Sequence, residues 1–392
     1  MTERSTTPRA AVGNMVDTES PWSKVHELWS DLGPFKQASL CQILEEDTDL
    51  CHSVWQVLNA KRNDLVELDL HGDTVTQFMD LMNSKLLAQG KIICQIAFRL
   101  LVGLLQACDI APSSIFISDV RLLENDAVFH GVYADIFKGF KDGQEVALKR
   151  PRIYIGDDHR RTQQALKREA LIRRGLSHPN ILPFLGIDSQ TFPSNPCIVS
   201  PWMRYSTVLE HLKGRIPTNV EKFGLLLEVA DGMAYLHRQN VVHGNLSGAN
   251  ILVDQNAHAL LSGFSLAGFA NTEDYDSELN ALTSNYGADG SDANTEVTQA
   301  RPRTLASDVY AFACVFLEIY AGQSDIVNYN YNDAERLRDI RRQRPSQPSD
   351  HGIQMSDDVW HLIRSCWHPD PSCRPTMDNI LDQMKEIGFG TL

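Results

Sequence analysis

Between Gln239 and Ala300 the chain has no lysine and no arginine, although the span holds eight acidic residues: Asp254, Glu273, Asp274, Asp276, Glu278, Asp289, Asp292 and Glu296. Over the whole chain 36 Lys and Arg face 50 Asp and Glu, and the formal net charge is -14 over 392 residues. A nucleic-acid binder would need a basic face, so nucleic acid is excluded as a partner class and an anionic membrane surface is disfavoured. The chain also has no Cys-x-x-Cys and no Cys/His cluster at zinc spacing. Its eight cysteines (Cys41, Cys51, Cys94, Cys108, Cys197, Cys314, Cys366 and Cys373) are scattered, the pattern of reduced thiols in an intracellular, cytoplasmic protein. No long uncharged apolar run occurs. The most apolar window, Ile92 to Ala111, is broken by Gln95, Arg99 and Gln106, whereas a spanning helix needs ~20 apolar residues. The first residues lack the apolar core of a signal peptide, so no membrane insertion is expected.

What is present is ordinary globular material, 43% apolar and 22% charged, with length for two to three domains at roughly 100–200 residues each. Residues 1–20 are polar and read as a disordered tail. Residues 21–115 are helical by period: Trp22, Val25, Leu28 and Trp29, then Val75, Phe78, Leu81 and Met82. His52 and His71 stand alone there and read as surface residues rather than ligands. After Pro112-Ser113-Ser114 the period shifts to strands. Ala127 to Gly139 and Glu145 to Lys149 flank Lys141-Asp142-Gly143, a tight hairpin signal. A helix over about 159–177 and a second over 219–239 follow, the latter with Phe223, Leu226, Leu227, Ala230, Met233 and Leu236 at helical spacing. Tyr286 to Asn294 is rich in Asp, Ser, Asn and Gly and reads as a flexible acidic loop. The basic run Arg336 to Arg344 reads as a solvated helix face before it reads as a dock for an acidic partner.

The strings that carry chemistry are Val146-Ala147-Leu148-Lys149, Arg168-Glu169, His178-Pro179-Asn180-Ile181, Val242-His243-Gly244-Asn245-Leu246-Ser247-Gly248-Ala249-Asn250, Ser262-Gly263-Phe264-Ser265 and Cys366-Trp367-His368-Pro369-Asp370-Pro371-Ser372-Cys373-Arg374-Pro375-Thr376. In order and spacing, residues 118–388 resemble a protein kinase domain of the tyrosine-kinase-like group. The whole chain resembles the kinase-like proteins of mushroom-forming fungi.

The resemblance implies an α+β, two-lobed protein kinase-like fold. A five-stranded small lobe with one helix (118–200) and a mostly α-helical large lobe (204–388) would follow the small all-α region, with the acidic activation segment 263–296 flexible. It implies an ion pair between Lys149 and Glu169, and a nucleotide cleft lined by Gly131, Ile136, Ala147, Ser200, Met203, Asn250 and Leu252. It assigns structural roles to His243, Phe264, Asp308, Trp367 and Arg374, with Glu296 as the candidate partner of Arg374. The chemical letters depart from the pattern together. Asn245 stands at the catalytic Asp, Ser247 at the catalytic-loop Lys and Gly263 at the metal-binding Asp, while Gly131 alone survives of three loop glycines. Arg173, four residues after Glu169, replaces an ordinarily apolar residue. Asparagine cannot accept a proton, and loss of a positioned base costs ~10²–10⁴-fold; loss of the metal carboxylate attacks the electrostatic term. The expected protein is a pseudokinase, a protein-binding or allosteric signalling module with weak or no ATP binding and only Asn250 left to hold Mg2+. The alternative is an atypical, active ATP-dependent protein kinase.

Overall fold

The computed structural model of the chain describes residues 109–131, 134–153, 159–270, 303–321 and 356–391, with positions 76, 77, 79, 80, 101, 102 and 105 of the preceding region. The expected tail at 1–20, most of the leading helices, the acidic stretch 271–302 with Glu296 and the basic run 336–344 lie outside the described residues.

The first lobe is built on one sheet. Its strands are β1 (Phe116–Ile117), β2 (Arg121–Leu122), β3 (Phe129–His130), β4 (Ala134–Lys141), β5 (Gln144–Pro151), β6 (Gly186–Asp188) and β7 (Cys197–Pro201). The order is β1-β6-β7-β5-β4-β2, with β3 beside β4. Seven segments replace the five strands expected, for two reasons. The opening strand is broken into β2 and β3, both paired with β4, because Glu124-Asn125-Asp126 between them favours a turn. At the other edge β1 adds in parallel to β6, ahead of the 118 boundary drawn from sequence. Gly186 permits that approach: a Cβ there would meet Ile117 Cγ2 at 2.4 Å.

The β4–β5 hairpin closes at Lys141 and Gln144. Asp142 and Gly143 both take positive φ, 47° and 84°, as the favoured two-residue hairpin turn requires. Alternation along these strands sends Phe137, Val146 and Leu148 into a core with Cys197 and Val199. It leaves Ile136, Ala147 and Lys149 half-buried on the opposite face. Helix α1 (His159–Arg174) buries Leu166, Ala170 and Leu171. It is tied to the preceding segment by Lys167, which donates to the Asp109 carbonyl at 2.9 Å and its carboxylate at 3.1 Å.

The second lobe is mostly helical: α2 (Val208–Leu212), α3 (Asn219–Arg238), α4 (Leu305–Ala321), α5 (Asp357–Cys366) and α6 (Met377–Thr391). Local chemistry sets the starts. Thr207, Thr218 and Ser356 each accept an N-terminal backbone N–H of α2, α3 and α5, and such caps contribute ~1 kcal/mol each. Leu226, Met233, Phe312, Phe316, Ile380 and Met384 join one core.

Two short pairs place the site. Strand β8 (Val241–Val242) pairs with β11 (Gly268–Phe269), and β9 (Ile251–Val253) pairs with β10 (Ala259–Leu261). The nesting brings the loop 243–250 against the loop 262–267.

Candidate functional site

The loop 243–250 is held from below by α4. The Asp308 carboxylate, 1% exposed, accepts from the backbone N–H of His243 at 2.8 Å and of Gly244 at 2.9 Å. His237 Nε2 adds a third contact at 3.1 Å. His243 is fully buried. Its Nε2 lies 2.8 Å from the Ser262 carbonyl, and its Nδ1 lies 3.2 Å from the Asn245 N–H. One neutral tautomer satisfies both, with Nε2–H donating and Nδ1 accepting. Burial pushes the imidazole below its ordinary value, more than Asp308 and the Ser262 carbonyl raise it. The His243 ring packs on Phe264, with centroids 4.9 Å apart. A further anchor was not read from the sequence: buried Glu318 of α4 accepts from the Gly248 N–H at 2.7 Å. The available signal was an acidic residue inside the apolar run Val315-Phe316-Leu317-Glu318-Ile319.

Asn250 is committed to the loop. Its Nδ2 donates to the Asn245 carbonyl at 2.7 Å and reaches Ser247 Oγ at 3.3 Å. Its backbone carbonyl accepts from the Ser262 N–H and hydroxyl at 2.8 and 2.9 Å. The side-chain oxygen faces Gly263, whose φ is 76° and ψ 39°. A Cβ on Gly263 would stand 2.4 Å from both Asn250 Cγ and Oδ1. Magnesium is held by one or two carboxylates together with phosphates and water. Asn245 and Asn250 are neutral, Gly263 offers no side chain, and among the described residues no three His, Cys, Asp or Glu side chains form a group that could hold a metal ion. The residues present do not fit the metal.

The cleft side is better furnished. Lys149 Nζ lies 3.3 and 3.4 Å from the two Glu169 oxygens. Ile136 faces Lys149 in register across β4 and β5, and Ala147 faces Ser200 across β5 and β7. Leu252, bridged to Thr207, and Met203, whose carbonyl accepts from Ser206 N–H at 3.3 Å, are half-buried on the facing lobe and the connection. Gly131 closes the β3–β4 turn by donating to the Ala134 carbonyl at 3.0 Å. A Cβ there would meet that same oxygen at 2.8 Å, so a tight turn accounts for the surviving glycine. A nucleotide would be held by Lys149 at its phosphates, with Ile136, Ala147 and Leu252 around its base.

Behind this face lies Arg173. Its Nη1 is 3.6 Å from Glu169 Oε1. Its Nη2 donates to Ser200 Oγ at 2.9 Å and to the carbonyls of Leu182 and Pro183 at 3.3 Å. The guanidinium also stands over the rings of Phe264 and Phe184, 5.7 and 5.5 Å from their centroids.

A sequence-family model for protein tyrosine and serine/threonine kinases matches residues 124–384, more than half of the chain. The chain belongs to the protein kinase family. Its α+β two-lobed architecture is the kinase fold. Among curated relatives, a probable serine/threonine-protein kinase of Dictyostelium discoideum is 27% identical over 70% of this chain and 29% of its own length. A serine/threonine/tyrosine-protein kinase of Arabidopsis thaliana is 26% identical over 64% of this chain and 62% of its own. A tyrosine-protein kinase receptor of Danio rerio is 27% identical over 62% and 28%. The chain spans between 16% and 62% of the length of the curated relatives it matches.

The two remaining kinase-pattern residues lie away from the cleft. Trp367 is buried and meets Trp360 edge-on at 6.1 Å. Arg374 donates to the carbonyls of His368 and Ala306, each at 2.9 Å, and stands 5.0 Å over the Tyr310 ring. Among the described residues no helix is long and apolar enough to cross a membrane.

Proposed function

We propose that this kinase-family protein does not transfer phosphate and acts as a protein-binding or allosteric signalling module, a pseudokinase of the tyrosine-kinase-like group. The observation that carries the reading is the pairing of Asn250 with Gly263: the position that should present a carboxylate to the metal is a left-handed glycine packed on the neighbouring amide. Asn245 cannot serve as base, and Ser247, engaged by Asn250 at 3.3 Å, carries no charge to offer a phosphate. Meanwhile the anchors that shape the loop, Asp308, His243 and Glu318, are all engaged. Shape is kept where chemistry is removed, which is what a binding module requires. The partner is another protein, and a cytoplasmic location is part of the same reading, supported by the free thiols Cys197 and Cys366.

The intact Lys149–Glu169 contact and the kinase names of the relatives favour a second reading, an atypical active protein kinase acting on Ser/Thr or Tyr. Incorporation of labelled γ-phosphate into the chain itself and into a generic substrate, with magnesium or manganese, separates the two. The proposal expects background incorporation, unchanged by Lys149→Met. Incorporation that Lys149→Met abolishes would establish the second reading.

A further inference from the structure

Among the described residues of the cleft, the charge is inverted relative to a metal-using site. Two positions that the family pattern fills with carboxylates hold Asn245 and Gly263. At the back, Arg173 adds a cation that the pattern lacks. Glu169 is therefore shared by two cations. Lys149 sits at 3.3 Å and Arg173 at 3.6 Å, both longer than the ~2.7–2.9 Å of a tight charge-assisted bond. The three side chains carry one positive charge in excess. Arg173 is 4% exposed and Glu169 6%, so salt and solvent screen them little. Lys149, at 31%, is the member that reaches the open cleft. Arginine keeps its proton even when buried, and the Ser200, Leu182 and Pro183 oxygens hold its guanidinium in place.

We propose, on the reading above that this chain does not transfer phosphate, that its cleft binds the free, metal-less triphosphate anion of a nucleotide. Lys149 is the phosphate contact. Arg173 is a positioning residue that draws on Glu169 from behind and leaves Lys149 loosely paired. In a metal-using site the carboxylates repel bare triphosphate and the ion offsets that repulsion. Here, among the described residues, the carboxylate beside Lys149 is Glu169, which is outnumbered by two cations. Magnesium then weakens binding, because it removes charge from the ligand and gains no ligand from the protein.

The test is titration of ATP into the full chain by calorimetry, in EDTA and in excess magnesium. Binding is expected in EDTA, several-fold weaker in magnesium and weaker as salt rises; adenosine, lacking phosphates, is expected to bind far more weakly. Lys149→Met should abolish binding in EDTA. Arg173→Met should weaken it on the order of tenfold and reduce the EDTA preference, and Arg173→Lys should recover part of both. Binding that requires magnesium, absence of binding in both buffers, or an Arg173→Met variant that keeps the native EDTA preference would each overturn the proposal. The comparison of buffers on the unmodified chain stands even where the Arg173 variants fail to fold. Labelled-phosphate incorporation is read separately. Magnesium-dependent binding without transfer sinks this inference alone, whereas transfer sinks the function proposed above.

Discussion

The side-chain oxygen of Asn250 stands 2.4 Å from where a Cβ on Gly263 would lie. Gly263 also has φ 76°, a region that costs most L residues roughly 1–2 kcal/mol. Gly263→Ala should therefore destabilise by at least about 1–2 kcal/mol in urea unfolding. Gly263→Asp should require Asn250 to turn away from the Asn245 carbonyl, and it should not restore metal-dependent transfer either alone or with full effect beside Asn245→Asp. A stable Gly263→Asp variant that transfers phosphate by itself would show that the crowding is not decisive.

Asp308 satisfies one buried and one half-buried backbone donor and His237 at once. Asp308→Ala leaves the His243 and Gly244 N–H groups without that acceptor, and the expected cost is about 1–3 kcal/mol for each orphaned donor. Chemical denaturation measures it directly. A loss below about 1 kcal/mol would mean that water replaces the carboxylate.

Glu318 does the same for Gly248, within a tighter space. A Cβ on Gly248 would meet Glu318 Oε2 at 2.7 Å and Leu209 Cγ at 2.8 Å. Glu318→Leu should cost about 1–3 kcal/mol through the orphaned amide and speed hydrogen exchange at Gly248 and its neighbours. Unchanged exchange at Gly248 would remove Glu318 from the account of the loop.

Acid should destabilise the protein from just below neutrality. His243 is held neutral in the fold by burial, below its ordinary 6.5. A depressed histidine leaves the unfolded chain binding more protons between the two values. Its contribution is thus complete above about pH 6.5 and is lost as pH falls toward the folded value. Burial depresses His178 and His211 in the same direction. His258, raised by Glu228, acts oppositely, and its contribution is lost as pH rises through its folded value. Asp135 enters only in strong acid: burial opposes its ionisation, but Arg152, His130 and Arg150 outweigh it and bring the carboxyl to about 2. Unfolding free energies between pH 7.5 and 5.5 should slope upward with pH, and His243→Phe should flatten part of that slope while lowering stability overall. An unaltered slope in that variant would show that His243 is not the group titrating.

Much of the fold was legible because the relevant interactions are local. The Asp142-Gly143 turn, the alternation of β4 and β5, and the period of α3 depend on neighbours within a few residues, and the sequence records them directly. The lettering of the loops 243–250 and 262–267 told equally plainly that Asn245 and Gly263 carry no carboxylate, since no fold can supply a carboxylate to a glycine. The strand count was not legible. Strand β1 meets β6 some 70 residues away, and a two-residue strand carries no periodicity.

By itself, then, the sequence determined the β4–β5 hairpin, helices α1 and α3, and the placing of an amide at Asn245 and a glycine at Gly263 where the family pattern has carboxylates. Only the tertiary structure decided what Arg173 is. In the sequence it is one misplaced charge on a helix. In the fold it meets Glu169 one turn away, Leu182 and Pro183 from the following loop, Ser200 on β7 and the Phe264 ring, partners as much as 91 residues apart. A buried cation is stable only where oxygens and a counter-charge converge on it, and convergence of distant segments is a property of the folded chain alone.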